Sequence, residues 1–156
     1  MFAREKVEFP ENNLFVWALL YNRLELAKIF WKTDEFQTLT ALFASNLLKK
    51  MAARLSDMEG HLTEVGNYFE DTACGVLTLF DENNDDLMNG VILLQKVPYY
   101  EDLDSLEIAI QGDCLKFISL SCVQTLITSV WNGEIASKGG FAGTLKVNVV
   151  LVLVHS

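Results

Sequence analysis

The side chains with the clearest chemical potential in this sequence are an acidic cluster, two histidines and three cysteines. Asp81, Asn83 and Asp85 stand at the first, third and fifth places of a calcium-binding EF-hand loop. The sixth place of such a loop needs glycine and holds Asp86, and the twelfth needs a bidentate glutamate and holds Ile92. Because both decisive positions fail, these acids are predicted to cap helices rather than to bind calcium.

The histidines and cysteines are too scattered to form a zinc site. A structural zinc ion takes about four ligands, usually in paired clusters, whereas Cys74, Cys114 and Cys122 form no CxxC pair. Only His61 and His155 remain to join them. We therefore expect three reduced, mostly buried thiols and no bound metal.

No arrangement of side chains suited to catalysis is evident either. A Ser, Cys or Thr nucleophile needs an oriented base, usually histidine, but His61 lies near a predicted helix start and His155 is the last residue but one. The sequence lacks the GxSxG, HExxH and GxGxxG motifs and a phosphate-binding glycine loop. We predict that the chain is not an enzyme and has no catalytic, cofactor-binding or metal-binding residues and no small-molecule site.

Charge is distributed unevenly along the chain. Residues 1–56 carry 8 basic and 6 acidic side chains, residues 57–113 carry 14 acids against Lys96 alone, and residues 114–156 carry 3 bases against Glu134. The acidic middle repels phosphate backbones, so nucleic acid is not an expected partner. The middle is predicted either to be a solvated acidic face or to dock a basic segment of a partner.

No segment is predicted to cross a membrane, which takes about 20 consecutive apolar residues. The longest fully apolar runs are residues 14–21 and 149–154. Residues 1–11 mix acids and bases and lack the apolar centre of a secretory signal. A chain of this composition is expected to be cytosolic.

The spacing of apolar residues predicts about seven helices of uneven length joined by short turns. The first two are expected at 12–21 and 24–32, and a longer one, capped by Thr33 or Asp34, ends near Ser56. Short antiparallel helix pairs in series are typical of an irregular helical bundle or α-solenoid. The predicted fold class is therefore all-α.

The fourth helix has the clearest pattern, because apolar residues line one side and acids the other. Its apolar stripe consists of Leu62, Val65, Phe69, Ala73, Val76 and Phe80. Gly66 and Gly75 lie within this helix, and each predicts a close helix crossing or a kink. The aromatic residues at helical spacing, Phe15, Trp17, Phe30, Trp31, Phe43, Phe69, Phe80 and Trp131 among them, are expected in the core.

The second half of the chain is predicted to hold three more helices. The fifth presents Leu87, Val91 and Leu94 on its apolar face and ends before Pro98.

Asp102 or Asp104 is expected to cap the sixth, which Gly112 terminates, and the last runs from residue 117 to the turn at Asn132. Tyr99 and Tyr100 follow Pro98 in a turn, and we predict them to be exposed and to form a contact surface.

The last 21 residues differ in character from the rest. Residues 136–144 form a glycine-rich linker, and Leu145 to Ser156 form an extended, β-branched apolar tail without a predicted pairing strand. The predicted organisation is a helical domain at 12–135 followed by a linker and tail at 136–156. The tail is expected either to dock on the helical body or to mark a premature chain end.

Two blocks of the sequence resemble a known family. Residues 13–31 are similar to the start of the fourth melastatin homology region of melastatin-type transient receptor potential (TRPM) cation channels, and residues 116–135 are similar to a later part of that region. The matching positions are Leu14, Phe15, Trp17, Ala18, Asn22, Arg23, Glu25, Ala27 and Trp31 in the first block and Lys116, Phe117, Gln124, Leu126, Trp131 and Gly133 in the second. The resemblance covers roughly residues 12–135. Leu120 replaces a usual histidine, which indicates a divergent member.

The resemblance implies a helical scaffold in the cytoplasmic region of a cation channel, on the cytoplasmic side of the plasma membrane. In the intact family member, a homotetramer that transports cations including calcium, this region packs against neighbouring subunits and couples to the pore. Because the pore has no counterpart here, we expect a fragment of such a channel. The alternative is an independent cytosolic helical adaptor that binds a basic partner through its acidic middle.

Overall fold

The fold of residues 10–81 and 86–131, the parts of the chain that the computed structural model describes, is built from helices. The α-helices are α1 (Pro10–Leu20), α2 (Leu24–Lys32), α3 (Gln37–Ala52), α4 (Glu59–Asp81), α5 (Asp86–Leu94), α6 (Ser105–Gln111), α7 (Leu115–Ile118) and α8 (Ser121–Trp131). Short 3₁₀ turns at Ser56–Met58 and Pro98–Tyr100 complete these ranges, which contain no strand. The all-α prediction is confirmed, and no helix of the described ranges is long and apolar enough to cross a bilayer.

Helices α3 and α4 form the central pair of the bundle, and a glycine lets them approach closely. A Cβ placed on Gly66 would lie 3.2 Å from Lys49 Cγ and 3.4 Å from the Ser45 carbonyl oxygen. The predicted close crossing at Gly66 is therefore confirmed. A Cβ on Gly75 would meet nothing within 4 Å, so α4 makes no close crossing at Gly75 with the described parts of the chain.

The buried stripe of α4 follows the prediction over most of its length and then diverges. Leu62, Val65, Phe69 and Ala73 are buried as expected, but the stripe continues to Leu77 rather than to Val76 and Phe80. Two steps of four residues, 69 to 73 and 73 to 77, keep to one side of the helix. Phe80, predicted to be core, is exposed at 37%.

The predicted apolar face of α5 is wrong. Leu93 is fully buried, whereas Val91 is 53% exposed and Leu94 only half-buried. Residues 86–94 are apolar on nearly every side, so their spacing does not define one face, and packing against α4, α6 and α8 selects the buried side chain. The side chain of Leu87, and residues 82–85 of the acidic cluster, lie outside the described residues.

Helix boundaries follow capping chemistry with small offsets. Asp34 Oδ1 accepts a hydrogen bond from the Phe36 amide at 2.8 Å and Oδ2 accepts one from Thr40 Oγ1 at 2.8 Å, so it supports the entry into α3 from outside the helix. α3 ends at Ala52, four residues before the predicted end.

The structure confirms both ends of the sixth predicted helix and divides the last predicted helix in two. Asp104 forms a capping box with Glu107, and Gly112 is the C-cap of α6, as expected. The last predicted helix is divided into α7 and α8. Its expected end at Asn132, the linker and the tail at 136–156 lie outside the described residues.

Candidate functional site

Glu70 is a buried carboxylate at the point where α3, α4 and α7 meet. It is 2% exposed. Its Oε2 accepts a hydrogen bond from Lys49 Nζ at 2.6 Å, and its Oε1 accepts from the amides of Lys116 at 2.9 Å and Phe117 at 3.4 Å. One side chain on α4 thus pairs with a lysine of α3 and satisfies the first free amides of α7.

The neighbouring acid, Asp71, points away from this cluster. Asp71 Oδ1 accepts a hydrogen bond from Lys116 Nζ at 2.7 Å, and both side chains are exposed. Neighbouring residues on a helix point in different directions, and these two acids do so. The ion pair raises the pKa of Lys116, mainly through the hydrogen bond to Asp71. The contacts of Glu70 are therefore those of a structural residue and not those of a catalytic acid or base.

The three thiols have the environment of inert structural cysteines. All are free; Cys114 is buried, and Cys74 and Cys122 are half-buried. Burial raises the pKa of Cys74 to about 11 and also raises the pKa of Cys114 and of Cys122. Thiols with raised pKa values are protonated at neutral pH and react slowly. All three cysteines are free, but only Cys114 is buried as the prediction of mostly buried thiols expects.

The two histidines that the sequence analysis weighed as a metal ligand or a catalytic base, and rejected, lie far apart in the sequence. His61 is exposed near the start of α4, as expected, and His155 lies outside the described residues. Within residues 10–81 and 86–131, no three His, Cys, Asp or Glu side chains are grouped so that they could hold a metal ion.

The prediction that Tyr99 and Tyr100 form an exposed contact surface is wrong. Tyr100 is 4% exposed, its hydroxyl lies 3.1 Å from Thr40 Oγ1, and its ring centroid lies 4.8 Å from that of Phe43. Tyr99 is half-buried and donates a hydrogen bond to Asn13 Oδ1 at 2.9 Å. The 3₁₀ turn that begins at Pro98 directs both rings back toward α3 and α1.

The hairpin of α1 and α2 exposes two aromatic residues, Trp17 and Tyr21, and Tyr68 and Phe80 of α4 are exposed as well. Six large apolar side chains of this hairpin are at least 41% exposed, and we call them the hairpin face. The hairpin face consists of Leu14, Trp17, Leu20, Tyr21, Leu26 and Ile29. Trp17 was expected in the core; its ring lies 5.4 Å from that of Tyr21, one turn further along the outer side of α1.

The opposite side of α1 is buried, so this helix is apolar on both sides. Phe15, Ala18 and Leu19 are at most 1% exposed. The ring centroid of Phe15 lies 6.1 Å from that of Phe69 on α4 in an edge-to-face arrangement. A helix with one apolar side packed and a second one facing water is typical of a segment that packs against a further element.

The acidic middle is not a uniform surface. Glu70 and Asp104 are buried, and Asp81 and Glu107 are half-buried. The exposed acids among the described residues of this segment are Asp57, Glu59, Glu64, Asp71, Glu101, Asp102 and Asp113. A basic partner would therefore meet acids on several elements rather than one continuous acidic helix.

An open groove of about 370 Å³ lies between α1, α3, α6 and the turn at Pro98–Tyr100. Asn46 lines it and is 7% exposed, and its side-chain oxygen has no hydrogen-bond partner. That oxygen has almost no accessible surface, because the Asn46 side chain packs against Gly112, where a Cβ would lie 2.8 Å from Asn46 Cβ. The groove therefore does not present this acceptor to a ligand.

A family model and the relatives described below assign the sequences similar to this chain to one protein family. A family model described as the TRPM2-like domain matches residues 2–120. The chain is 34% identical over 134 residues to transient receptor potential cation channel subfamily M member-like 2 of Nematostella vectensis, covering 81% of this chain and 8% of that protein. It is 31% identical over 132 residues to subfamily M member 6 of Mus musculus (81% of this chain, 6% of that protein) and to subfamily M member 4 of Rattus norvegicus (82% and 11%).

Proposed function

Because this chain belongs to the family of the TRPM2-like domain, we propose that it is a cytoplasmic scaffold segment of a TRPM-like cation channel. The chain spans about a tenth or less of the length of relatives such as the one from Nematostella vectensis. The role proposed for it is to pack neighbouring subunits of a homotetramer and to connect them to the pore, on the cytoplasmic side of the plasma membrane. Cation and calcium transport belong, in this proposal, to the complete channel.

The hairpin face is the observation that carries this proposal. Exposed apolar patches of this kind are unusual on a monomer that functions alone, and they are typical of a surface that another protein element covers. Trp17 and Tyr21 add large aromatic side chains, which contribute disproportionately to binding energy at interfaces.

The internal contacts of the domain support a scaffold that transmits force from one of its surfaces to another. Glu70 connects α3, α4 and α7 through one carboxylate, and Gly66 allows α3 and α4 to cross closely. A close-packed group of helices moves as a unit, so a force on the hairpin face reaches α7 without being absorbed by internal rearrangement.

A chimeric channel tests the proposal. Residues 12–131 of this chain replace the matching segment of the subfamily M member-like 2 channel of Nematostella vectensis, and assembly is measured by cross-linking and native gels, with cation currents as the second readout. We expect the chimera to form tetramers and to conduct. In the variant Trp17→Glu/Tyr21→Glu, we expect tetramer formation or gating to fail because two charges are placed in an apolar contact.

The matched control is Leu115→Glu, which changes an exposed apolar residue of α7 (58% exposed) outside the hairpin. Both variants are first checked as isolated chains by circular dichroism, so that loss of folding is separated from loss of assembly. Equal assembly and equal currents in the hairpin variant and the control would refute the hairpin face as an interface.

A further inference from the structure

The junction between α5 and α6 contains a buried acid that has no role in the contacts proposed above. We call residues 95–105 the elbow. Asp104, at its end, is fully buried. Its Oδ1 accepts a hydrogen bond from the Glu107 amide at 2.8 Å, whereas its Oδ2 is buried and has no hydrogen-bond partner. A buried carboxylate oxygen without a donor is costly when it carries charge.

The elbow is held by a small number of hydrogen bonds, of which only those of the capping box involve the side chain and the amide of Asp104. Ser105 Oγ donates to the Ile92 carbonyl oxygen of α5 at 3.0 Å, and the Val97 amide donates to the Leu103 carbonyl oxygen at 3.2 Å. The Asp104 amide donates to Glu107 Oε2 at 3.2 Å and completes the capping box. The capping box orders the start of α6 beside the Ser105 hydrogen bond that joins α6 to α5.

Backbone strain in the elbow favours its opening. Glu101 and Asp102 are consecutive non-glycine residues with φ angles of 60° and 58°. Side chains rarely adopt this left-handed region, and each such residue is held there by its surroundings. The buried hydroxyl of Tyr100, next to these residues, lies 3.1 Å from Thr40 Oγ1 of α3.

We propose that the elbow is a proton-sensitive joint, in which protonation of Asp104 holds α6 closed against α5 and ionisation of Asp104 loosens it. The unpaired Oδ2 is the reason: the neutral acid loses little by burial, whereas the carboxylate gains hydration when the elbow opens. Acidification near the domain thus tightens the α5–α6 contact. The device acts on the interior of the domain and does not depend on the hairpin face.

Two charged groups act on Asp104 in addition to burial. Burial is the main cause that raises the pKa of Asp104 to about 6 from 3.8. The backbone amide of Glu107 lowers this pKa, the Glu107 charge raises it, and the Lys96 charge and the backbone amide of Leu106 lower it. With these two pKa values for the closed and open forms, the opening equilibrium constant rises about tenfold between pH 5 and pH 7.

Amide hydrogen exchange on the full chain measures this directly. The Glu107 amide, bonded to Asp104 Oδ1, reports opening of the cap. After correction for the intrinsic exchange rate, we expect its protection to fall about tenfold from pH 5 to pH 7 in the wild type and to be independent of pH in Asp104→Asn, which keeps an acceptor at the N-cap. The control Asp102→Asn, at an exposed neighbouring position, keeps the wild-type dependence. The same tenfold fall in Asp104→Asn, or none in the wild type, would overturn the proposal.

A second measurement does not depend on the Asn variant being folded. The carboxyl carbon of Asp104, followed by NMR, is expected to titrate with a midpoint near 6. Lys96→Met removes the cation and shifts the midpoint upward, whereas Glu107→Gln removes the like charge and shifts it downward. A wild-type midpoint near 4, or no opposite shift of the two variants, contradicts a proton-sensitive joint.

Discussion

Replacing Glu70 is the most direct test of how this domain is held together. Glu70→Gln keeps the size of the side chain and removes its charge. Whichever way the amide is oriented, one end of it now presents N–H groups to another donor, either Lys49 Nζ or the Lys116 amide, both of which bond to Glu70 in the native structure. Glu70→Ala removes both sets of contacts.

The expected magnitudes follow from burial. Removing one partner of a buried ion pair costs about 3–5 kcal/mol, and the lower half of this range applies to Glu70→Gln because the Lys49 side chain is 24% exposed and reaches water. Glu70→Ala also leaves the first amides of α7 without an acceptor, which adds about 1–3 kcal/mol. We therefore expect losses in the free energy of unfolding of about 3 kcal/mol for Gln and about 5 kcal/mol for Ala.

The neighbouring residue provides a matched control. Asp71 makes an ion pair with Lys116 of nearly the same length, 2.7 Å against 2.6 Å, but both side chains of that pair are exposed. Solvent screens such a pair, so Asp71→Asn is expected to leave stability unchanged within experimental error. The two acids are adjacent on one helix and differ chiefly in burial.

Urea unfolding followed by circular dichroism, with linear extrapolation, measures these differences. A double-mutant cycle with Lys49→Met isolates the ion pair and is expected to give a coupling of about 1–3 kcal/mol. If Glu70→Gln and Asp71→Asn lose equal stability, or if the cycle shows no coupling, the inference that Glu70 connects α3, α4 and α7 is refuted.

Four further substitutions test the packing and the electrostatics, each by the same urea unfolding. Gly75→Ala adds a methyl group where nothing lies within 4 Å and is expected to stabilise the protein by about 0.5–1 kcal/mol. Gly66→Ala, at the α3–α4 crossing, is expected to stabilise the protein less or to destabilise it. Equal gains in stability for the two variants would contradict the close crossing. Gly112→Ala places a Cβ 2.8 Å from Asn46 Cβ and is expected to cost about 1–3 kcal/mol; a neutral result would show that α6 ends with more room than the structure has. The folded-state pKa of Asp104 is raised to about 6, so the stability contributed by its neutral form is present below pH 3.8 and lost as the pH rises through 6. Asp104→Asn is therefore expected to be more stable than the wild type by about 1–3 kcal/mol at pH 7.5 and equal to it near pH 3.5. A stability difference that does not change across this pH range would contradict the raised pKa.

Much of the helical pattern was predictable because local chemistry marks helix ends. Asn22 adopts a φ of 55° at the turn between α1 and α2, where the sequence indicates a break. Asp104 and Gly112 cap the two ends of α6 for the reasons that made them candidates. The opposite directions of Glu70 and Asp71 follow from helix geometry alone. The resemblance to TRPM channels was also visible in two blocks of the sequence, residues 13–31 and 116–135.

The buried role of Glu70 was not predictable from its own helix. The residues that explain it, Lys49 and the amide of Lys116, lie 21 and 46 positions away in the chain. The sequence signal available in advance was only that an acid at position 70 follows buried Phe69 on the apolar side of α4. Such a signal indicates a buried acid but not its partners.

What the sequence by itself determined is the set of helices, most of their ends and the family. What only the tertiary structure decided is which side of an apolar helix is covered: Leu93 rather than Val91 on α5, and Phe15 rather than Trp17 on α1. The same holds for Tyr100, which the turn after Pro98 returns to the core, and for Glu70. The physical reason is that hydrogen bonding and capping act over a few residues, whereas burial depends on elements distant in sequence that the chain brings into contact.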